Sequence, residues 1–135
     1  MPELVWRDEY SVGVKELDVQ HQIIIQFINE LNDTERLRNA PDEVDRILDR
    51  LTEYVITHFA LEEEYMERFD YEGLEDHLEK HIHYIETIAD LTQDQVDQKD
   101  KVYEELMGFL NQWWTNHILK ADKKYSKTFN DNGLR

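Results

Sequence analysis

Four stretches of this sequence repeat apolar residues at intervals of three and four, the spacing that lines up one face of an α-helix. The first spans roughly Val19 to Arg38 and carries Ile24, Ile25, Phe27, Ile28 and Leu31. The second, from Asp42 to Phe69, carries Val44, Ile47, Leu48, Leu51, Val55, Phe59, Glu62 and Met66 in the same register. The third, from Leu74 to Leu91, sets Leu78, His81, Ile85 and Ile88 on one side. The fourth, from Lys99 to Ile118, runs through Val102, Leu106, Phe109, Leu110 and Trp113. Asn39-Ala40-Pro41, Gly73 and the polar run Thr92 to Gln98 read as the connections, with Pro41 suited to a first helical turn. Only 4 Gly and 2 Pro are present, few for strands joined by tight turns. The expected fold is all-α: an antiparallel up-down-up-down four-helix bundle with an N-terminal extended arm and a short C-terminal helix.

The 135 residues suit a single domain built on one core. Residues 1–18 are expected to form the arm, 19–118 the bundle and 119–135 the tail. The arm lacks helical periodicity; Trp6, Tyr10, Val12 and Val14 are placed to pin it, and Asp18 reads as the N-cap of the first helix. Asp122 to Phe129 could add one more helical piece.

A formal net charge of -16 repels phosphate backbones and anionic membrane surfaces, which excludes nucleic acid as a partner. No apolar run approaches the ~18 residues that span a bilayer, and the opening residues lack a basic segment followed by an apolar one. There are 0 cysteines, so disulfides, thiolate metal sites and thiol nucleophiles are all excluded. A soluble, cytoplasmic, monomeric protein is expected.

Chemistry concentrates in the 6 histidines. His21 sits in the opening turn of the first helix, and His58 lies four residues before Glu62. His77 and His81 are four apart, and His117 is followed five residues later by Asp122. Residues four apart share a helix face, offset by only ~40°. His58 with Glu62 and His77 with His81 thus extend stripes that face the core, and all four helices contribute an imidazole. His83, two residues beyond His81 and ~200° around the helix, should face solvent. A buried imidazole costs free energy unless its nitrogens are satisfied. A metal ion is the natural shared partner, since imidazole suits iron, zinc, copper and nickel. Five imidazoles exceed the needs of one ion with open positions. Two bridging carboxylates, Glu62 and Asp122, make the set sensible for two ions, and iron, which accepts six ligands, suits it better than four-coordinate zinc. Asp122 is the difficulty. Five residues of regular helix turn it ~140° away from His117, so the helix must end or distort near Leu119 to Ala121. Asp122 could then also cap the tail helix.

These residues resemble the hemerythrin family, most closely its single-domain bacterial members, over nearly the whole chain. The arm and first ligand are Trp6…Tyr10-Ser11-Val12-Gly13-Val14…Leu17-Asp18-Val19-Gln20-His21. His58-Phe59-Ala60-Leu61-Glu62-Glu63 is similar to the family's His-Phe-x-x-Glu-Glu segment, His77 to His81 to its His-x-x-x-His pair, and His117 to Asp122 to its closing His-x-x-x-x-Asp. The resemblance implies that His77, His81 and His117 hold one iron, that His21 and His58 hold a second with one position open, and that Glu62 and Asp122 bridge them beside an oxo or hydroxo group. It implies reversible dioxygen binding at the open iron, for storage, delivery or sensing. Ile24, Phe59, Trp113, Trp114 and Ile118, one turn from the ligands, would line a dry oxygen pocket. One departure stands out: Trp114 occupies a position, three residues before the last histidine, that is commonly aliphatic in the family.

Dioxygen is then the partner, with an oxygen-consuming protein downstream, and no catalytic residue is required. A di-iron redox enzyme scavenging peroxide or nitric oxide would instead need a proton donor near the open iron, with Tyr54, Tyr65 and Tyr84 as the candidates. An iron-handling protein would need a looser cage than seven ligands provide.

Overall fold

The computed structural model describes residues 4–33 and 41–135. Helix α1 spans Lys15–Leu31, α2 Pro41–Arg68, α3 Leu74–Val96 and α4 Val102–Gln112. The chain then continues from α4 as a π-helix over Trp113–Ala121, a 3-10 turn over Asp122–Tyr125, and a short α5 over Ser126–Asp131. The four long elements form the expected bundle, each packed on its neighbours in chain order and α1 closing against α4. No helix among the described residues is long and apolar enough to cross a membrane.

Besides the fourth helix, expected over Lys99 to Ile118 and α-helical only over Val102–Gln112, three departures from the expected helices bear on the packing. First, α1 begins at Lys15 rather than after Asp18, because Val14 is the last extended residue. Asp18 therefore caps nothing. Its carboxylate reaches back from inside the helix, accepting from Ser11 Oγ at 2.5 Å and Val12 N at 2.8 Å, and so folds the arm onto α1. That helix stops at Leu31, with Asn32 and Asp33 already outside it; the expected continuation to Arg38 otherwise falls outside the described residues, as do Asn39 and Ala40. Second, α3 runs on to Val96, through the polar run expected to be a loop. Thr92 stays helical with its hydroxyl donating to the Ile88 carbonyl, a local bond that spacing alone does not announce. Third, Ile85 is half exposed, and Tyr84 takes the buried position on that face.

Two apolar clusters fill the interior. The larger occupies the bundle proper, with Ile28, Leu51, Ile88 and Leu110 among its members. The smaller joins the arm (Val12, Val14), Leu17, Tyr65 and Met66 to Tyr125 and Phe129 of the tail. Arm and tail meet at Gly13, whose φ of 77° and close approach to Asn130 leave no room for a Cβ: one built there lies 2.9 Å from Asn130 Oδ1. Successive residues along the helices show what lies between the clusters. Leu17 belongs to the smaller and Ile24 to the larger, with His21 between them; Met66 and Phe59 flank Glu62 likewise. The polar residues form a layer across the bundle, sealed by apolar packing on both sides.

Candidate metal centre

His21, His58, Glu62, His77, His81, His117 and Asp122 are all buried, none more than 4% exposed. They converge. His58 and Glu62 are presented by α2, and His77 and His81 by α3, each pair one regular turn apart. His117 lies in the π-helical stretch. A π-helix closes its hydrogen bonds over five residues rather than four, so residues five apart return to one face. This is the distortion that Asp122 requires, and it brings Asp122 Oδ1 to 2.9 Å from His117 Nε2. Asp122 does not cap the tail helix, since no side-chain cap bond forms at either the 3-10 turn or α5.

Each carboxylate divides its oxygens between two groups of histidines. Glu62 Oε1 lies 3.1 Å from His81 Nε2 and 3.6 Å from His77 Nε2, while Oε2 lies 3.4 Å from His58 Nε2 and 3.6 Å from His21 Nε2. Asp122 Oδ1 lies 3.0 Å from His77 and 2.9 Å from His117, and Oδ2 lies 3.0 Å from His21. Two overlapping ligand sets result: Glu62, His77, His81, His117 and Asp122 in one, and His21, His58, Glu62 and Asp122 in the other, each with its donor atoms within 4.8 Å of one another.

These donors aim at common points rather than at each other. Nε2 of His21, His77, His81 and His117, Oε1 of Glu62 and both oxygens of Asp122 are buried without a hydrogen-bond partner in the protein, although several lie within 3.0 Å of one another. An unsatisfied buried polar group costs about 1–3 kcal/mol, so seven in one place require a shared partner. Their electrostatics agree. The histidine contacts overcome burial and hold the Glu62 and Asp122 carboxyls well below the usual range, so both stay ionised. Burial would strip the proton from His21 and His77, but Asp122 and Glu62 outweigh it and raise both to about 9. Burial wins at His117, which is lowered. The layer therefore demands positive charge: two protons on His21 and His77 when nothing else is bound, or metal cations in their place. The donor set of imidazole and carboxylate suits iron.

The remaining expected residues sit around this layer. Ile24, Phe59, Trp113, Trp114 and Ile118 all belong to the larger apolar cluster. Phe59 stacks flat on His81 at 3.7 Å between centroids, and Trp113 on His117 at 3.8 Å. Trp114 sets its ring edge-on to Tyr10 of the arm at 5.2 Å. His83 is exposed and outside the centre, as expected.

The sequence profile of the Hemerythrin HHE cation binding domain matches residues 12–129. The chain belongs to the hemerythrin family. It is 30% identical to the bacteriohemerythrin of Pseudomonas aeruginosa over 125 residues, 93% of this chain and 80% of that protein. To the bacteriohemerythrin of Stenotrophomonas maltophilia it is 33% identical over 128 residues, 93% of this chain and 81% of the other. Its fold superposes on the crystal structure of a leucine-to-tyrosine variant of a hemerythrin with a TM-score of 0.84 and 30% identity, covering 95% of this chain and 98% of that one.

Three residues of this hemerythrin support the centre from behind, of which sequence reasoning singled out only Tyr54, and that as a proton donor. Tyr125 donates its hydroxyl to Glu62 Oε2 at 2.5 Å. Gln20 meets His58 Nδ1 with its side-chain oxygen at 2.6 Å, and Tyr54 donates to the Gln20 main-chain oxygen at 3.0 Å while stacking on His58. Tyr125 follows Asp122 by three residues, a helical spacing that could have flagged it. The partner of Gln20 lies on another helix, and nothing in local spacing reveals it.

Proposed function

We propose that this chain binds dioxygen reversibly at a centre of two iron ions. The observation that carries the reading is the division of each carboxylate, one oxygen toward His77, His81 and His117 and the other toward His21 and His58, which suits two ions bridged twice. Two irons held by these residues would supply the pair of electrons that dioxygen capture borrows and returns. The protein's part is to make the two positions unequal. Three imidazoles on one side and two on the other leave the second with one ligand fewer, and dioxygen is expected there. Five neutral imidazoles donate less negative charge than a carboxylate-rich set, which favours binding over O–O cleavage. The apolar wall of Ile24, Phe59, Trp113, Trp114 and Ile118 would keep water and protons away from the centre and so protect its reduced state.

One observation favours a second reading, removal of peroxide or nitric oxide. The Tyr84 hydroxyl is fully buried beside Phe59 and Trp113 and has no hydrogen-bond partner, whereas Tyr54 and Tyr65 have theirs in Gln20 and Glu16. Among these three tyrosines its hydroxyl is the one left uncommitted, with burial pushing its titration well above the ordinary tyrosine range.

Anaerobic loading with ferrous iron, metal analysis, and optical spectra through cycles of added and removed oxygen decide between them. Two irons per chain and a charge-transfer band that comes and goes with oxygen support the carrier. Prompt, irreversible bleaching to the ferric spectrum, slowed in Tyr84→Phe, supports the scavenger. One iron or none overturns both.

A further inference from the structure

We infer that Gln20 is a positioning residue for the two-histidine half of the centre, fixing His58 through an uncharged hydrogen bond; this rests on the two-ion reading above. The two ring nitrogens of His58 meet different partners. Its Nε2 faces Glu62 Oε2 at 3.4 Å, on the inner side, and its Nδ1 meets Gln20 Oε1 at 2.6 Å on the outer side. A carbonyl oxygen only accepts, so Nδ1 carries the proton and donates it, and the Nε2 lone pair is left for a metal. Gln20 is itself fixed from α2. Tyr54 donates to its main-chain oxygen and lies over the His58 ring at 5.1 Å between centroids, inclined by 18°. Gln20, Tyr54 and His58 thus close a loop between α1 and α2, at the floor of a surface groove of about 320 Å³ that they line together. The amide covers the imidazole N–H where water would otherwise reach it.

At His21, His81 and His117, by contrast, Nδ1 has no hydrogen-bond partner among the described residues, and the carboxylate facing His81, that of Glu63, stands off at 3.9 Å. Partners behind a metal-bound histidine set its tautomer, its ring orientation and its strength as a donor. A carboxylate behind His58 would push negative charge into the ring and favour ferric iron. An amide of the same shape orients the ring and adds none. The half with the open position is therefore held in place while its ferrous state is left accessible, as oxygen release requires.

The test uses metal-free protein titrated anaerobically with cobalt(II), which needs no oxygen chemistry, followed by potentiometry of the di-iron form. Wild type is expected to take two ions. Gln20→Leu should weaken one of the two by about 10–100-fold and leave the other unchanged. Gln20→Glu keeps the shape and should restore cobalt affinity to near wild type, yet favour the ferric state. A tenfold bias there appears as a potential lowered by about 59 mV per electron. Both ions bound by Gln20→Leu as in wild type would overturn the positioning role alone. An unshifted potential in Gln20→Glu would overturn the part played by charge. Fewer than two cobalt ions in wild type would overturn the two-ion reading and this assignment with it.

Discussion

The centre is assembled in two different ways. On α2 and α3 the pairs His58/Glu62 and His77/His81 follow regular helical spacing, on backbone that would be helical whatever the side chains held. His117 and Asp122 are presented by a π-helix that gives way to a 3-10 turn, two uncommon windings in succession. No side-chain cap ends either piece. The regular half is a scaffold that metal can visit. The irregular half is a conformation worth adopting only for what it holds: Asp122 inside, Trp113 stacked on His117, and Tyr125 tied back to Glu62.

Removing the metal should separate the two most strongly. A ligand present at about a thousand times its dissociation constant adds about 4 kcal/mol to folding stability, so the stripped protein should melt many degrees lower. The loss should also be uneven. Hydrogen exchange is expected to accelerate most over residues 113–125, while amides in the middle of α2 and α3 keep their relative protection. Asp122→Ala should reproduce this pattern without a chelator and leave the protein unable to hold two ions. Glu62→Ala should lose the ions as well, but with α2 still protected around position 62. Uniform loss of protection along all four helices would mean that the π stretch is no more dependent on its contents than the rest, and the contrast would fall.

A smaller effect is expected at the tie between the halves. Tyr125, fully buried at the end of the irregular stretch, donates to the ionised Glu62 on α2. Hydrogen bonds to charged groups contribute about 1.5–3 kcal/mol, so Tyr125→Phe should cost that much in denaturant unfolding, with the slope unchanged. A cost below about 0.5 kcal/mol would show that the tail is held by Phe129 and the arm rather than by this bond.

The same contrast explains what could be read from the sequence. Apolar spacing exposed the four helices, and five histidines in register with it exposed the buried polar cluster, because burial and helical period act on every turn alike. Even the problem at Asp122 was visible, as a spacing of five where regular winding allows four. What spacing could not supply was the solution: a wider helix depends on long-range contacts that no single turn records. Asp18 was misread for a related reason. An acidic residue before an apolar run suggests a cap, but here the helix starts earlier and the carboxylate serves the arm through Ser11 and Val12. Gln20 and Tyr54 owe their part to the packing of α1 on α2, and their local sequence is silent about it.

The finest distinction lies between His77 and His117, which contact the same oxygen of Asp122 at 3.0 and 2.9 Å, one from a regular helix and one from the π stretch. Burial opposes the charged ring at both. At His77 the carboxylates of Asp122 and Glu62 prevail and raise it to about 9; at His117 burial prevails and lowers it below the ordinary 6.5. In metal-free protein the stability contributed by His77, and by His21 with it, is therefore complete below pH 6.5 and disappears as the pH climbs through about 9. His117 acts in the opposite sense, its unfolded form binding the proton more readily, so its contribution grows as the pH rises toward 6.5. Glu62 and Asp122, both held low, contribute above the usual carboxylate range and lose that contribution in acid. The metal-free chain should accordingly be most stable near neutrality and weaken toward pH 9. The loaded chain should be flat over that interval, because metal has already displaced the protons from His21 and His77. Histidine NMR titration of the metal-free protein is the direct check, with the His77 resonance moving near pH 9 and that of His117 below 6.5. If both move together, the two backbones present their imidazoles to Asp122 equivalently, and the difference between the halves is one of winding alone.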